Sequence, residues 1–395
     1  MAHDGHLLRV QSGHNHHRVS FAELFFDLVF VFAVTQLSHS LIEHFSPIGA
    51  VETLLLMLAV WWVWIYTAWF TNWLDPERTP VRIAMMAMML AGLIIAASIP
   101  KAFESRGAPF ALAYAGMQVG RTLFFLWAVR GHARLVQNFQ RILAWLIASA
   151  ILWLAGAVVH GHERLLVWAI AIGVEFLSPA IGFWVPVLGR STTTDWDVEG
   201  GHIAERCGLF IIIALGESIL VTGANFASLD WTTATITAFV TSFVGSLAMW
   251  WLYFDVVAEI GSRTISQSTD PGRLARLAYT YIHLPLVAGI IVAAAGDEFV
   301  LAHPTGHADA RTTITVLGSV ALYLGGHALF TWAIKGHVLA STIVALGVLA
   351  ALVPVAPRLS PVALMIAATG VLLAVAAWET WLKASSARSA APAAS

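Results

Sequence analysis

Phe21-Ala-Glu-Leu-Phe-Phe-Asp-Leu-Val-Phe-Val-Phe-Ala-Val-Thr-Gln-Leu37 is apolar along nearly its whole length, yet it carries two carboxylates, Glu23 and Asp27, four residues apart. At that spacing both lie on one face of a helix. A charge in hydrocarbon is costly, so an acid retained on a spanning helix faces the protein interior and marks a candidate working group. Further apolar segments of spanning length follow near 48–70, 82–100, 109–129, 140–158, 165–188, 203–224, 232–257, 277–296, 312–334, 337–354 and 361–382. The fold class expected is an all-α integral membrane protein of about twelve transmembrane helices. The least distinct division is that between 312–334 and 337–354, which only Lys335-Gly336-His337 separates.

Composition agrees. The chain is 58% hydrophobic and only 11% charged, against about 25% charged for soluble domains. A formal net charge of −2 gives nucleic acid no reason to bind. The single Cys207 excludes a disulfide framework and any multi-cysteine metal site. The N-terminal stretch 1–20 holds His3, His6, His14, His16 and His17 and reads as a solvated cytoplasmic tail rather than a metal site. It has no early apolar core with a cleavage site, so the first helix is expected to act as an uncleaved insertion signal. The Ala/Ser-rich stretch 383–395 reads as a disordered tail. Most Lys and Arg fall on the side of the N-terminus, among them Arg78, Arg82, Arg130, Arg134, Arg190, Arg263, Arg273 and Lys383. That bias predicts the cell inner (plasma) membrane, with both termini cytoplasmic.

The sequence also reads as duplicated. Leu58-Ala-Val-Trp-Trp-Val-Trp64 is echoed by Leu247-Ala-Met-Trp-Trp-Leu-Tyr253, and Trp127-Ala-Val-Arg-Gly-His132 by Trp332-Ala-Ile-Lys-Gly-His337. The expected organisation is a six-plus-six parallel repeat, residues 21–188 and 203–382, because an even number of helices preserves orientation.

Several ionisable residues fall inside these segments. Counting about 1.5 Å per residue, Asp27 lies roughly 8–9 Å and Arg121 roughly 12 Å from the cytoplasmic side, depths that permit an ion pair. That pair reads either as a charged element lining a path or as a clamp between the first and fourth helices. Glu205 and Arg206 lie near the membrane edge, where long side chains snorkel. Glu217 lies deep in the seventh segment, where Gly208, Gly216 and Gly223 recur at near-helical spacing and predict close approach of another backbone. Glu175 lies near mid-membrane just before Pro179. His283 and His327 stand at roughly 10 Å depth and could relay protons, although a lone buried His is more often hydrogen-bonded structure. The tryptophans Trp61, Trp62, Trp64, Trp69 and Trp73 fit an interfacial belt and helix packing better than a ligand platform. His160-Gly-His162-Glu163 lacks zincin spacing, and no phosphate loop, nucleophile elbow or haem attachment motif is present, so neither metal nor cofactor is expected.

The Glu23-Leu-Phe-Phe-Asp-Leu-Val-Phe-Val-Phe-Ala run and the run Glu205-Arg-x-Gly-Leu-Phe-x-x-x-x-Leu-Gly-Glu217-Ser resemble the signatures of the bacterial low-temperature-requirement A (LtrA) family over roughly residues 18–382. The resemblance implies a multipass membrane protein linked by name to growth in the cold. It marks Glu23, Asp27, Glu205, Arg206, Gly216 and Glu217 as family-pattern positions. Fainter is the likeness of Phe25–Leu37 to the Phe-Ser-Asp motif of the endolysosomal and bacterial potassium-channel family, with Phe26 in the place of the Ser and Gly208 in the place of the second repeat's acid. The function expected is a transporter or channel for an ion or small polar solute, with Asp27, Arg121, Glu175, Glu217, His283 and His327 as pathway candidates. Alternatives are a membrane enzyme acting on lipid or isoprenoid and a structural factor for membrane adaptation. The expected partners are the lipid bilayer, an ion or small solute and, in a homo-oligomer, further copies of the chain.

Overall fold

A computed structural model of the chain describes residues 7–9, 19–193, 196 and 198–390, the last five by backbone alone. The histidines of the N-terminal stretch lie outside the described residues. The chain is all-helical, with no β-sheet among the described residues. Its helices are α1 (Phe21–Glu43), α2 (Pro47–Trp73), α3 (Thr79–Ser98), α4 (Gly107–Ala128), α5 (Ala133–Val158), α6 (Gly161–Ala180) and α7 (Gly200–Ala227). There follow α8 (Thr233–Ser266), α9 (Pro271–Ala302), α10 (Ala310–Lys335), α11 (Ala340–Leu352) and α12 (Pro361–Ala390).

Among the described residues, nine of these are long and apolar enough to cross a membrane. The three others have visible reasons. Helix α11 has only 13 residues, α4 carries Gln118 and Arg121, and α6 carries Glu163, Arg164 and Glu175. The exterior is apolar: Phe25, Leu28, Ile83, Leu90, Ile151, Leu220, Ile314 and Ile343 are exposed, while carboxylates and hydroxyls point inward. That is the arrangement a bilayer demands, since hydrocarbon satisfies no polar group.

Boundaries follow local chemistry. Ser20 and Glu23 close a capping box at the start of α1, the Ser20 N–H donating to Glu23 Oε2 at 2.8 Å. Gly336 takes φ +79° and ends α10, so the two segments flanking it are separate helices. Helix α6 stops at Ala180 rather than near 188, because Pro179 is followed by Gly182 at φ +67° and Phe183 at φ 49°. Helix α12 continues past Lys383 to Ala390 rather than fraying there, in keeping with the high helix propensity of its alanines. Helices α8 and α9 each contain a π-helical stretch, Leu252–Ala258 and Ala275–Tyr281.

The chain divides into two compact units, Met1–Arg206 with Ser266–Arg276, and Cys207–Ile265 with Leu277–Ser395. In unit 1, α1 packs on α2 and α3, α4 on α3 and α5, and α5 on α6. Helix α2 contacts α4 and α6 as well as α1 and is the most enclosed span in this unit. Trp61, Trp62 and Trp64 are fully buried, and Trp62 stacks on Phe176 of α6 with centroids 4.0 Å apart. These tryptophans are core, not an interfacial belt, because α2 has neighbours on every side that could have met lipid headgroups. Ahead of α1, the segment Leu7–Arg9 runs beside the end of α2. The Arg9 N–H donates to Trp73 O at 2.8 Å, and the Asp75 N–H donates to Leu7 O at 2.9 Å.

In unit 2 the closest helix pair is α9 and α10. A Cβ placed on Gly289 would lie 2.8 Å from the Tyr323 nitrogen, and one on Gly326 would lie 2.9 Å from the Leu286 nitrogen. This is the small-residue contact typical of membrane helices. The glycines singled out on α7 do not serve that purpose. Gly216 and Gly223 face open space, and Gly208 meets only the rings of Phe254 and Tyr253. Gly289→Ala should therefore destabilise detergent-purified protein by about 1–3 kcal/mol, while Gly216→Ala should leave its melting temperature unchanged or raised, as thermal unfolding would read.

Candidate functional site

Unit 1 buries a charge network at the start of α1 and α7. Glu23 Oε1 accepts from His202 Nε2 at 2.8 Å and lies 3.3 Å from Arg206 Nη1. Glu23 Oε2 takes the Ser20 cap and Arg9 Nη2 at 2.9 Å. Asp27 Oδ1 accepts from Arg206 Nη2 at 2.7 Å and from Trp64 Nε1 at 2.8 Å. The Trp64 ring also lies under the guanidinium, 5.6 Å from Arg206 Cζ. Asn72 Oδ1 accepts the Glu199 N–H, which turns its Nδ2 toward His202 Nδ1 at 3.2 Å. His202 therefore accepts at Nδ1 and carries its proton on Nε2, where it donates to Glu23. With His202 neutral, two carboxylates face two guanidiniums and the cluster balances.

Asp27 thus pairs with Arg206 and not with Arg121. Spacing along the helices permits either pairing, and azimuth decides. Arg121 on α4 donates to Val63 O and Thr67 Oγ1 of α2, both at 3.2 Å. Asp27 reaches Trp64, which lies about 100° round α2 from Val63. Arg121 belongs instead to a second network. It donates to Gln118 Oε1, and Gln118 Nε2 donates to Glu175 Oε2 at 3.2 Å. Glu175 also accepts from Tyr114 OH at 2.6 Å, Trp153 Nε1 at 3.0 Å and the Ser149 hydroxyl. Helices α4, α5 and α6 together saturate one buried carboxylate with neutral donors. Glu205, beside these groups in sequence, is exposed at the start of α7.

The candidates of unit 2 occupy separate places. His283 donates from Nδ1 to Ala278 O at 2.8 Å and accepts at Nε2 from Tyr253 OH at 2.8 Å. Both nitrogens are engaged and the ring stacks on Tyr279, so His283 brackets the π-helical stretches of α8 and α9. His327 Nε2 lies 2.9 Å from Glu379 Oε2, and Ser341 Oγ donates to Glu379 Oε1 at 2.7 Å. That cluster joins α10, α11 and α12. Glu217 is buried on α7, five residues before Thr222.

Unit 2 holds a small polar cavity of about 30 Å³ walled by α8, α9, α10 and α12. That volume admits one or two water-sized particles. Ser242, Ser246, Asp297, Ser319 and Thr369 supply its polar wall, and Met249, Val316, Met365 and Leu372 part of its apolar wall. The Ser242 hydroxyl donates to Asp297 Oδ2. Among the described residues, Asp297 Oδ1 has no hydrogen-bond donor, and no Lys, Arg or His forms an ion pair with the carboxylate. Asp297 escapes notice in the sequence because the apolar run stops at Gly296, whereas α9 runs on to Ala302. Glu379 resembles an interfacial charge, being four residues before Lys383. The signal that could have found both is the hydroxyl pattern opposite them: Ser242 with Ser246 on α8, and Ser341 with Thr342 on α11. Among the described residues, no three His, Cys, Asp or Glu converge to hold a metal ion by themselves.

The unit 1 network makes a specific stability forecast. Arg206→Gln should cost about 3–5 kcal/mol by leaving the buried Asp27 carboxylate without its guanidinium. Adding Asp27→Asn should recover part of that loss, so a double-mutant cycle on thermal unfolding should be clearly non-additive.

Comparison with known proteins places this geometry. The model of the family described as bacterial low temperature requirement A protein (LtrA) matches residues 18–377. An uncharacterized protein of Rhizobium meliloti (strain 1021) is 39% identical over 365 residues, covering 92% of this chain and 89% of its own length. No solved structure matches.

Proposed function

The chain belongs to the bacterial low temperature requirement A (LtrA) family, and from that premise we propose that this multipass membrane protein is a transporter or channel for an ion or small polar solute. The observation that carries the reading is the polar cavity of unit 2. A carboxylate and four hydroxyl residues line a space inside an otherwise apolar bundle. Packing alone gives no reason to keep such a space, since apolar side chains would fill it at less cost.

In this reading the buried acids divide the labour. Asp297 lines the path, with Glu217 deeper on α7. Asp27 and Arg121 hold the helices of unit 1 in register, and Glu175 is held by the same network as Arg121. The proposed setting is the inner membrane, both termini cytoplasmic, with the two six-helix segments as parallel repeats. The bias of Lys and Arg toward one set of loops supports that orientation. A cysteine at Thr305 should then react with an impermeant maleimide on intact spheroplasts, and one at Gln267 should react only after lysis.

The decisive measurement is flux. Purified protein in liposomes should dissipate at least one of a K⁺, Na⁺ or H⁺ gradient faster than empty vesicles do, or should move a small polar solute in exchange. Vesicles as tight as protein-free controls under all these gradients, with correctly inserted protein, would defeat the transport reading.

A further inference from the structure

We propose that unit 2 binds a monovalent metal cation, Na⁺ or K⁺, on Asp297; the proposal deepens the transport reading and rests on it. Three observations converge on this site. First, Asp297 is 9% exposed, and one of its oxygens has no hydrogen-bond donor among the described residues while the residue borders the cavity. A carboxylate in an apolar bundle met by two neutral hydroxyls, Ser242 and the looser Thr222, keeps an uncompensated charge, and a cation would balance it.

Second, the surrounding donors are hard oxygens. Ser242 gives its proton to Asp297, and Ser319 gives its proton to Val316 O at 3.0 Å, so both keep lone pairs. Ser246 and Thr369 add two more hydroxyl oxygens to the same wall. Counting about 1.5 Å per residue, Asp297 stands roughly 8 Å from the end of α9, and Ser242, Ser319 and Thr369 stand roughly 12–14 Å from the starts of their helices. All four border the one cavity.

Third, Thr222 on α7 is 4% exposed and its hydroxyl lies beside the Asp297 carboxylate, outside the geometry of a normal hydrogen bond. Its O–H is turned to the carboxylate, and its lone pairs stay available to a cation held there. It sits at i+4 from Ser218 and three residues before Asn225, whose amide donates to Glu298 at 3.1 Å. These three residues form a polar stripe along one face of α7.

The charge count selects the ion. One carboxylate balances one unit charge. A divalent ion would ask for further carboxylates and six to eight oxygens at once, and the cavity's polar wall supplies only one acid. Its size admits a monovalent ion with at most a water beside it.

The test is binding, measured apart from flux. Full-length protein purified in detergent is unfolded thermally in choline chloride and in NaCl, KCl or LiCl of equal ionic strength and pH. Na⁺ or K⁺ should raise the melting temperature by about 2 °C or more, and saturable ²²Na⁺ or ⁸⁶Rb⁺ binding should appear with one site per chain. Asp297→Asn should abolish both effects and unfold no earlier than wild type in choline, because it removes a buried charge. Thr222→Val and Ser319→Ala should each weaken the apparent affinity about tenfold or more, and they decide the matter if Asp297→Asn fails to fold. Equal stability in all four salts, an undiminished cation effect in these variants, or a stabilisation that follows pH alone and so marks a proton site would each overturn the proposal. Cation binding without flux keeps the site and removes transport. Flux in protein whose stability and isotope binding show no cation effect removes the site and keeps transport.

Discussion

A guanidinium inside an apolar bundle has to be met by carboxylates, and at the start of α7 Arg206 is met by two. Glu23 and Asp27 come from one face of α1, and Trp64 of α2 holds Asp27 from the side while lying under the guanidinium. Each partner then acquires obligations of its own. Glu23 caps α1 through Ser20 and holds the Leu7–Arg9 segment, and His202 is oriented by Asn72 at the end of α2. A buried pair of this kind adds little net stability over an apolar replacement, yet it is costly to break. Its effect is on register: α1, α2 and the first turns of α7 can meet in one alignment only.

The buried acids of this protein fall into distinct electrostatic classes. Glu23 and Asp27 are neutralised by guanidiniums. Glu175 is surrounded by neutral N–H and O–H donors from three helices, and Glu379 is held by His327 and Ser341. Asp27 also keeps one oxygen, Oδ2, without a hydrogen bond, but its charge is met by Arg206. Asp297 differs from all of them in pairing with no cation among the described residues and in bordering a cavity. Sequence makes these residues look alike, since each is an acid in an apolar run.

What the sequence conveyed well was whatever depends on distance along one helix. Apolar runs of spanning length located the helices, Lys335-Gly336-His337 marked a true break, and i, i+4 spacing put Glu23 and Asp27 on one face. Azimuth around a helix was hidden. Asp27 and Arg121 have matching depths, but α2 presents Trp64 to one and Val63 with Thr67 to the other. The glycines of α7 had the spacing of a close contact without a neighbour to fill it, while Gly289 and Gly326 made the contact unannounced. Asp297 was lost for a simpler reason. A charged dipeptide, Asp297-Glu298, ends an apolar run on any hydropathy reading, although the helix carries it on into the membrane interior.

The span of chain between Asp27 and its guanidinium has a consequence for biosynthesis. Arg206 follows Asp27 by 179 positions, so a ribosome adding about 5–20 residues per second needs roughly 10–40 s to supply it. Throughout that interval α1 is already the inserting helix, with Arg9 the one cation of the final cluster yet made. The early membrane intermediate therefore carries an acid that the finished protein neutralises only after six helices have been synthesised. Delivery of α7 is the step that locks the first half of the chain, and slowed elongation, as in the cold, lengthens the exposure of that unfinished site.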